Sequence, residues 1–374
     1  MEQTNEKVVQ TPDLSNVQSA VEQKDLTQEN KMICHFCGGA AISVSDKVFR
    51  PVSELGDGFA NVEFHYVDTS TANISKIEPL GEFWQIETSL HGKEKITGSG
   101  GERTTHINDA RVSINKYLDN GKWTKMVPNE YHVVVSSASG GSGSILAFFT
   151  AERLLKVGIP VIMVAIGDSS SAILAINTKN HLASLNNLAI QNGKALSIIY
   201  VNNHAIDSGA PISSEKEADK MLYNYISTLA LFLSSNNGDI DRQDMRNIID
   251  QSSYKTITVA GGLYGLQFFS KEVKLPSKAV PIGGRTLIVP GVDYNHGLNL
   301  LHHKHGIIQH PEAISIYKDQ LPLYMISSGN FFAIENEGLE KVTNDYYNVM
   351  DSIEVKEVKG TSRSTADEDT GLVL

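Results

Sequence analysis

The chain has 374 residues, 41% of them hydrophobic, with 43 Asp and Glu against 32 Lys and Arg and a net charge of −11. That length suits one large or two ordinary domains, and the apolar share suffices for real cores. The acidic balance argues against a general nucleic-acid binder, which needs a basic footprint. No apolar run approaches the ~18 residues of a membrane span. The opening stretch MEQTNEKVVQTPDLSNVQSA has no apolar segment of the secretory kind. Cys34 and Cys37 are the only cysteines, too close together to staple the chain, so a reducing, cytoplasmic setting is expected.

Residues 1–30 are polar and without aromatics, and read as a disordered tail. MICHFC, running into Gly38-Gly39, reads as a buried strand entering a turn. Val62 to Ser70 and the β-branched run Tyr131 to Ser139 read as further strands. Gly140-Gly141-Ser142-Gly143-Ser144 follows, then a well-buried helix through about Val157 that Gly158 and Pro160 end. Ile159 to Ile166 and Leu196 to Val201 are strands again. Strand, glycine turn, helix, strand is a βαβ unit and predicts a parallel sheet. A long helix over Glu215 to Ser234 keeps apolar spacing at Leu222, Tyr225, Ile226, Leu229 and Leu233. Beyond about Asp239 the pattern shortens into strands with Gly and Pro, read as a second, smaller α+β domain over 239–335. An amphipathic helix over 336–359 and an acidic tail over 360–374 complete the α/β chain, which shows no internal repeat.

Three glycine-rich turns lie next to apolar strands: Gly38-Gly39-Ala40-Ala41, Gly98-Ser99-Gly100-Gly101, and Gly140 to Ser144. Glycine lets backbone N–H groups approach an anion with no Cβ in the way, and a helix N-terminus adds partial positive charge. Ligands of such sheets sit at the C-terminal ends of strands. The sequence contains no GxxxxGK[ST] P-loop and no complete GxGxxG. Gly140 to Ser144 falls short of the GxSxG elbow at Ser144, which leaves a hydrolase using Ser142 as a poor second reading.

SGGSGS (Ser139 to Ser144), between an apolar strand and a helix, resembles the signature loop GGGTGTG or GGGTGSG of the tubulin/FtsZ superfamily. SILAFFTAERLLKVGIPVIMVAI and VEFHYVDTSTANI resemble the flanking FtsZ segments. Asp239-Ile240-Asp241-Arg242-Gln243-Asp244, just after the long helix, resembles the NxDxxD synergy loop. CHFCGGAAISVSDKV and the acidic tail look most similar to the bacteriophage tubulins, with plasmid-segregating relatives as near neighbours. The chain departs from the pattern at Ile145 (a final glycine in the family), Ser43 (an asparagine), Ala40-Ala41 and Asp239 (an asparagine).

The resemblance implies a GTP-binding domain over 31–214, a central helix over 215–238, and GTP hydrolysis with Mg²⁺ in a head-to-tail homopolymer. It implies that Gly140, Gly141, Ser142, Gly143 and Ser144 cradle the α- and β-phosphates. Gly38, Gly39 and Ala40, with Ser43 and Asp68 near them, line the diphosphate. Gly98, Gly100 and Gly101 meet the γ-phosphate, with charge from Arg103. Asn203, Asp219 and Tyr223 read and stack on guanine. Asp241 and Asp244 act in the pocket of the next subunit, where a carboxylate can orient the attacking water. The same two residues also have the form of a helix-capping pair. The family role implied is positioning of phage DNA or capsids in a host cytoplasm, indirectly and without a membrane. Plasmid segregation, or a scaffold without hydrolysis, is the alternative. The acidic tail is expected to dock on a neighbouring subunit.

Cys34 and Cys37, three apart on a strand, point to opposite faces and suit neither metal nor redox use. His302, His303 and His305 read as a surface or interface run rather than a metal site, and no metal-binding residue is assigned.

Overall fold

The computed structural model describes residues 29–86, 89–90, 94–95, 107–204, 206–207, 210–211, 215–235, 237–256, 258–352 and 372–373. The apolar run around Met32 forms β1 (Lys31–Cys37). Helix α1 (residues 39–53) follows, with a π-helical turn, Ser45–Phe49, in its middle. Next come β2 (Asn61–Asp68), β3 (Glu82–Gln85), α2 (Ile107–Asn120), β4 (Glu130–Ser137) and α3 (Ser142–Lys156). β5 (Val161–Gly167), α4 (Ala172–Gln191), β6 (Ala195–Asn202) and the central helix α5 (Glu215–Leu233) complete the first part. The remainder is α6 (Arg242–Ile249), β7 (Gly262–Ser270), β8 (Val280–Ile288), β9 (His302–Ile307), α7 (Pro311–Tyr317), β10 (Leu323–Gly329) and α8 (Phe331–Ser352).

All ten of these strands join one sheet in the order β9-β8-β10-β7-β6-β5-β4-β1-β2-β3. From β7 to β3 every neighbouring pair is parallel, while β10 runs antiparallel to both β7 and β8. β5, VIMVAIG, is buried at every position, as a central strand covered by helices on both faces must be. The two faces carry separate apolar clusters, with Cys34 in one and Cys37 in the other. The odd spacing therefore sends the two thiols through opposite faces, and both are free and buried.

Helix α3 ends at Gly158, whose φ of +78° is the left-handed conformation that favours glycine. The 20-residue α4 is absent from the sequence expectation. Asn and Ser are scattered among its apolar residues, and Thr178, Asn180, His181 and Ser184 are themselves buried, so no clean apolar stripe marks it. The boundary expected near residue 239 interrupts neither the sheet, since β7 pairs with β6, nor the first apolar cluster, which runs from Met32 to Met325. The last residue of the expected N-terminal tail, Asn30, is 4% exposed and donates to Leu233 O at 2.7 Å. No helix among the described residues is long and apolar enough to cross a membrane.

A chain of buried polar rings ties β1 to β4. Tyr117 Oη lies 2.7 Å from His35 Nδ1, and His35 Nε2 lies 3.0 Å from His132 Nδ1. With both rings neutral, each of these two contacts is bridged by one proton, and Glu130 Oε2 lies 3.9 Å from His132 Nε2. Burial holds His35 well below the usual histidine range and His132 at about 3. The unfolded chain protonates these rings near pH 6.5 and the folded chain does not. Stability is therefore expected to fall as pH drops below about 6.5, by up to about 1.4 kcal/mol per pH unit per ring. Glu335, which burial raises to about 7, opposes this, because acidification neutralises it in the folded state. Urea midpoints at pH 7.5 and 5.5 should fall less in His132→Gln than in the unsubstituted chain. Equal falls would show that the ring does not carry the effect.

Candidate functional site

The site is built where β1, β2 and β4 end. β1 hands over to α1 at Gly38, and β4 hands over to α3 through Ser139 to Gly141. The two turns are pressed together backbone to backbone. A Cβ at Gly38 would lie 2.6 Å from Gly143 Cα, and one at Gly143 would lie 2.7 Å from Cys37 O. Gly38 also has a φ of +82°, so this position needs glycine for both space and conformation.

Neither α1 nor α3 has a side-chain cap at its N-terminus. The first-turn N–H groups of a helix have no intrahelical partner, and the N-terminal turns of α1 and α3 start from one place. Two aligned helix termini there favour an anion. Asp68 closes the third side from the end of β2. It is 3% exposed, its Oδ1 accepts from Thr69 N at 2.7 Å, and its Oδ2 accepts from Asn73 Nδ2 at 3.4 Å. Burial pushes its carboxyl up from the ordinary range, against those donors. Thr69 Oγ1 lies 3.4 Å from Ser142 Oγ, and a Cβ at Gly39 would strike Asn73.

The structure thus brings together Gly38, Gly39, Ala40, Asp68, Gly140, Gly141, Ser142, Gly143 and Ser144. Ser144 has a different part from the one expected. Its hydroxyl is buried and donates back to Gly140 O and Gly141 O at 2.7 and 2.9 Å, so it shapes the turn. Gly140 N is bound to Ser137 Oγ at 3.2 Å. Ser43 is exposed on α1. Ile145, where the family has glycine, is 2% exposed and packs into the core behind the loop, which explains why the departure leaves the turn open. Gly98, Gly100, Gly101 and Arg103 lie outside the described residues.

Asn203 follows β6, its N–H bound to Gly167 O at 3.0 Å. Asp219 and Tyr223 sit in the first half of α5 and are partly buried, and Lys47 Nζ of α1 lies 3.5 Å from Asp219 Oδ2. Thr69, Asn73 and Asn177 escaped the sequence reading. Asn177 on α4 donates to Ser139 O at 3.0 Å and braces the signature turn from a helix the sequence did not reveal. For Thr69 and Asn73 the available signal was their place just after a strand end.

The acidic turn lies at the other end of the molecule. α5 has 19 residues, about 28 Å at 1.5 Å per residue, and carries the chain away from the strand C-termini. At its far end Leu233 O binds Asn30, the residue before β1, and Arg242 Nε donates to Asn30 Oδ1 at 2.9 Å. Asp241 and Asp244 therefore flank the N-terminal ends of the strands whose C-terminal ends hold the glycine turns. The two form a reciprocal capping box: Asp244 N donates to Asp241 Oδ1 at 2.7 Å and Asp241 N to Asp244 Oδ2 at 3.3 Å. Asp241 is exposed, whereas Asp244 is buried and paired with Lys304 Nζ at 3.1 Å.

The described residues contain no cluster of three or more His, Cys, Asp or Glu fit to hold a metal. His302 and His303 are instead bound to β8, His302 Nδ1 to Arg285 and His303 Nε2 to Thr286 Oγ1, and burial lowers both rings to about 4. At the glycine turns, the oxygens of Asp68, Thr69 and Ser142 suit a hard cation that takes most of its ligands from bound phosphates.

A mostly parallel sheet crossed by a long central helix, with glycine turns at one end, has the arrangement of the tubulin-like fold. No family model and no curated protein matches the sequence, but solved structures do. The chain is similar to a protofilament of TubZ from bacteriophage PhiKZ, with a TM-score of 0.70 and 18% identity over 92% of this chain and 99% of that one. It is similar to the phage tubulin PhuZ with GDP at a TM-score of 0.68 and 17% identity, with the same coverage of each chain. A GTPγS-bound protofilament of CetZ2 from Haloferax volcanii matches at 0.59 and 16% identity, over 86% of this chain and 99% of that one. At these identities the likeness establishes the fold.

Proposed function

We propose that the chain binds and hydrolyses GTP and polymerises head to tail into filaments. The observation that carries this reading is the meeting of two uncapped helix N-termini through Gly38 and Gly143. This cradle has backbone donors for a diphosphate and no room for a side chain. Mg²⁺ bound with the nucleotide would be held by Asp68 with the Thr69 and Ser142 hydroxyls, and would offset phosphate charge. Asp219 and Asn203 accept from and orient the guanine edge, and Tyr223 stacks on it. The neighbours described as GDP- and GTPγS-bound support guanine as the base.

The polarity of the subunit supports head-to-tail assembly. Asp241 cannot reach the glycine turns of its own chain, because α5 separates them. Stacking one subunit on the next brings the exposed Asp241 to a neighbour's nucleotide, where its carboxylate orients the attacking water. The neighbours described as protofilaments support such stacking, and those from phages favour a role in positioning phage DNA or capsids over plasmid segregation. The capping box and the Lys304 pair favour a second reading, a filament scaffold in which the acidic turn is structural alone.

GTP is expected to bind more tightly than ATP, because Asp219 can accept the guanine N1–H and N2–H₂ donors and would face the adenine N1 acceptor unfavourably. Calorimetry giving equal affinities would contradict the base assignment. At the C-terminus, Leu372 is 1% exposed and Val373 N donates to Ser184 Oγ on α4 at 2.8 Å. Leu372 and Val373 thus rest on their own subunit, while residues 353–371, which include the acidic Asp367, Glu368 and Asp369, and residue 374 lie outside the described residues.

A further inference from the structure

The largest fully buried side chain among the described residues is an arginine. Arg285, on β8, is 0% exposed. A cation out of water costs several kcal/mol unless its donors are met, yet no ion pair to Arg285 occurs among the described residues. Its Nη1 donates to Gly284 O at 2.8 Å and to His302 Nδ1 at 3.1 Å, and its Nη2 donates to the backbone carbonyl of Asp244. His302 passes the chain on, with Nε2 lying 3.4 Å from Gln251 Oε1, and Gln251 donates to Ser327 Oγ. The two terminal nitrogens are thus met, while Nε has no hydrogen-bond partner. The effect of these bonds is to fasten the first turn of α6 to the β8 and β9 edge of the sheet. Lys304, on β9, reaches the same turn from the solvent side and pairs with the Asp244 carboxylate at 3.1 Å.

We propose that Arg285 and Lys304 form a cationic brace that fixes the acidic turn, residues 239–244, in the one conformation that acts on nucleotide held by a second copy of this chain. The inference rests on the proposed shared site. Arg285 holds the backbone of Asp244, and Lys304 holds its carboxylate. Asp244 in turn holds Asp241 through the capping box, so the exposed carboxylate of Asp241 is aimed by the residues behind it. The brace also brings positive charge to a turn that must approach phosphates. Arg285 and Lys304 are positioning residues and touch no nucleotide.

The test uses the full-length chain and measures GTP affinity of the monomer and phosphate release per sedimented subunit. Lys304→Met removes a half-exposed side chain, so folding is kept even where Arg285→Met unfolds. Lys304→Met should keep GTP affinity within about twofold and lower release per polymerised subunit at least about tenfold, and Lys304→Arg should restore it. Arg285→Met, if folded, should match Lys304→Met. Unchanged release in Lys304→Met overturns the brace. Loss of GTP affinity together with release also overturns it, because the residue would then serve the fold at large. Unsubstituted protein whose release per subunit does not rise with concentration overturns the shared site itself, and is told apart by being seen before any substitution.

Discussion

Gly143→Val is expected to abolish nucleotide binding. The added Cβ alone would lie 2.7 Å from Cys37 O and 3.4 Å from Gly38 Cα, and both neighbours are backbone. Real Cβ atoms do not sit that close to a carbonyl oxygen, so the turns before α1 and α3 must part. The two sets of first-turn N–H groups then no longer converge on one anion, and losing half of such a cradle leaves the rest poorly aimed. GTP affinity should fall at least about a hundredfold, which is about 2.8 kcal/mol. Gly140→Ala supplies the control, since its Cβ would meet Ser137 Oγ at 3.5 Å, an ordinary contact. Calorimetry on both variants, with circular dichroism to confirm folding, decides the matter. Normal binding by Gly143→Val would remove the cradle from the site.

Asp241→Asn is expected to stop turnover and leave the subunit otherwise intact. Asparagine is as good a helix N-cap as aspartate, so the bond from Asp244 N survives and α6 keeps its start. What is lost is the negative charge that orients and polarises a water. General acid–base groups contribute about 10² to 10⁴ in rate, so release per polymerised subunit should drop about a hundredfold or more. GTP affinity of the monomer should not move, because Asp241 lies beyond the far end of α5 from the glycine turns. Filaments should become longer-lived, since the GTP state is no longer consumed. Phosphate release and sedimentation on the same samples read both effects. Full turnover by Asp241→Asn would leave the acidic turn with its capping role alone.

Much of the fold was legible because it is written in backbone chemistry. β1, β2, β4, β5 and β6 are short apolar runs bounded by glycine or polar turns, and each forms within two residues of its expected ends. α3 and α5 declare themselves by density or spacing of apolar residues. α4 does not, because buried Asn, Thr, His and Ser interrupt its pattern, and those side chains are satisfied only by the tertiary structure. The continuity of the sheet was equally hidden. Gly and Pro around β7 and β8 suggest a new domain, and only the pairing of β7 with β6 shows that one sheet runs through both parts. At the site, the glycine turns were visible as residues but not as partners, since the contact of Gly38 with Gly143 joins positions far apart in sequence. Arg285 gave no signal at all. Nothing in GGRTLIV singles it out, and only the packing around β8 shows it to be buried.

The central claim is that one subunit completes the site of the next, and the dependence of GTP hydrolysis on protein concentration tests it most directly. Phosphate release per subunit should be near zero in dilute protein, rise steeply above a critical concentration, and track the sedimented fraction. A release rate per subunit that stays constant from dilute to concentrated protein would contradict the account, because every monomer would then carry a complete site.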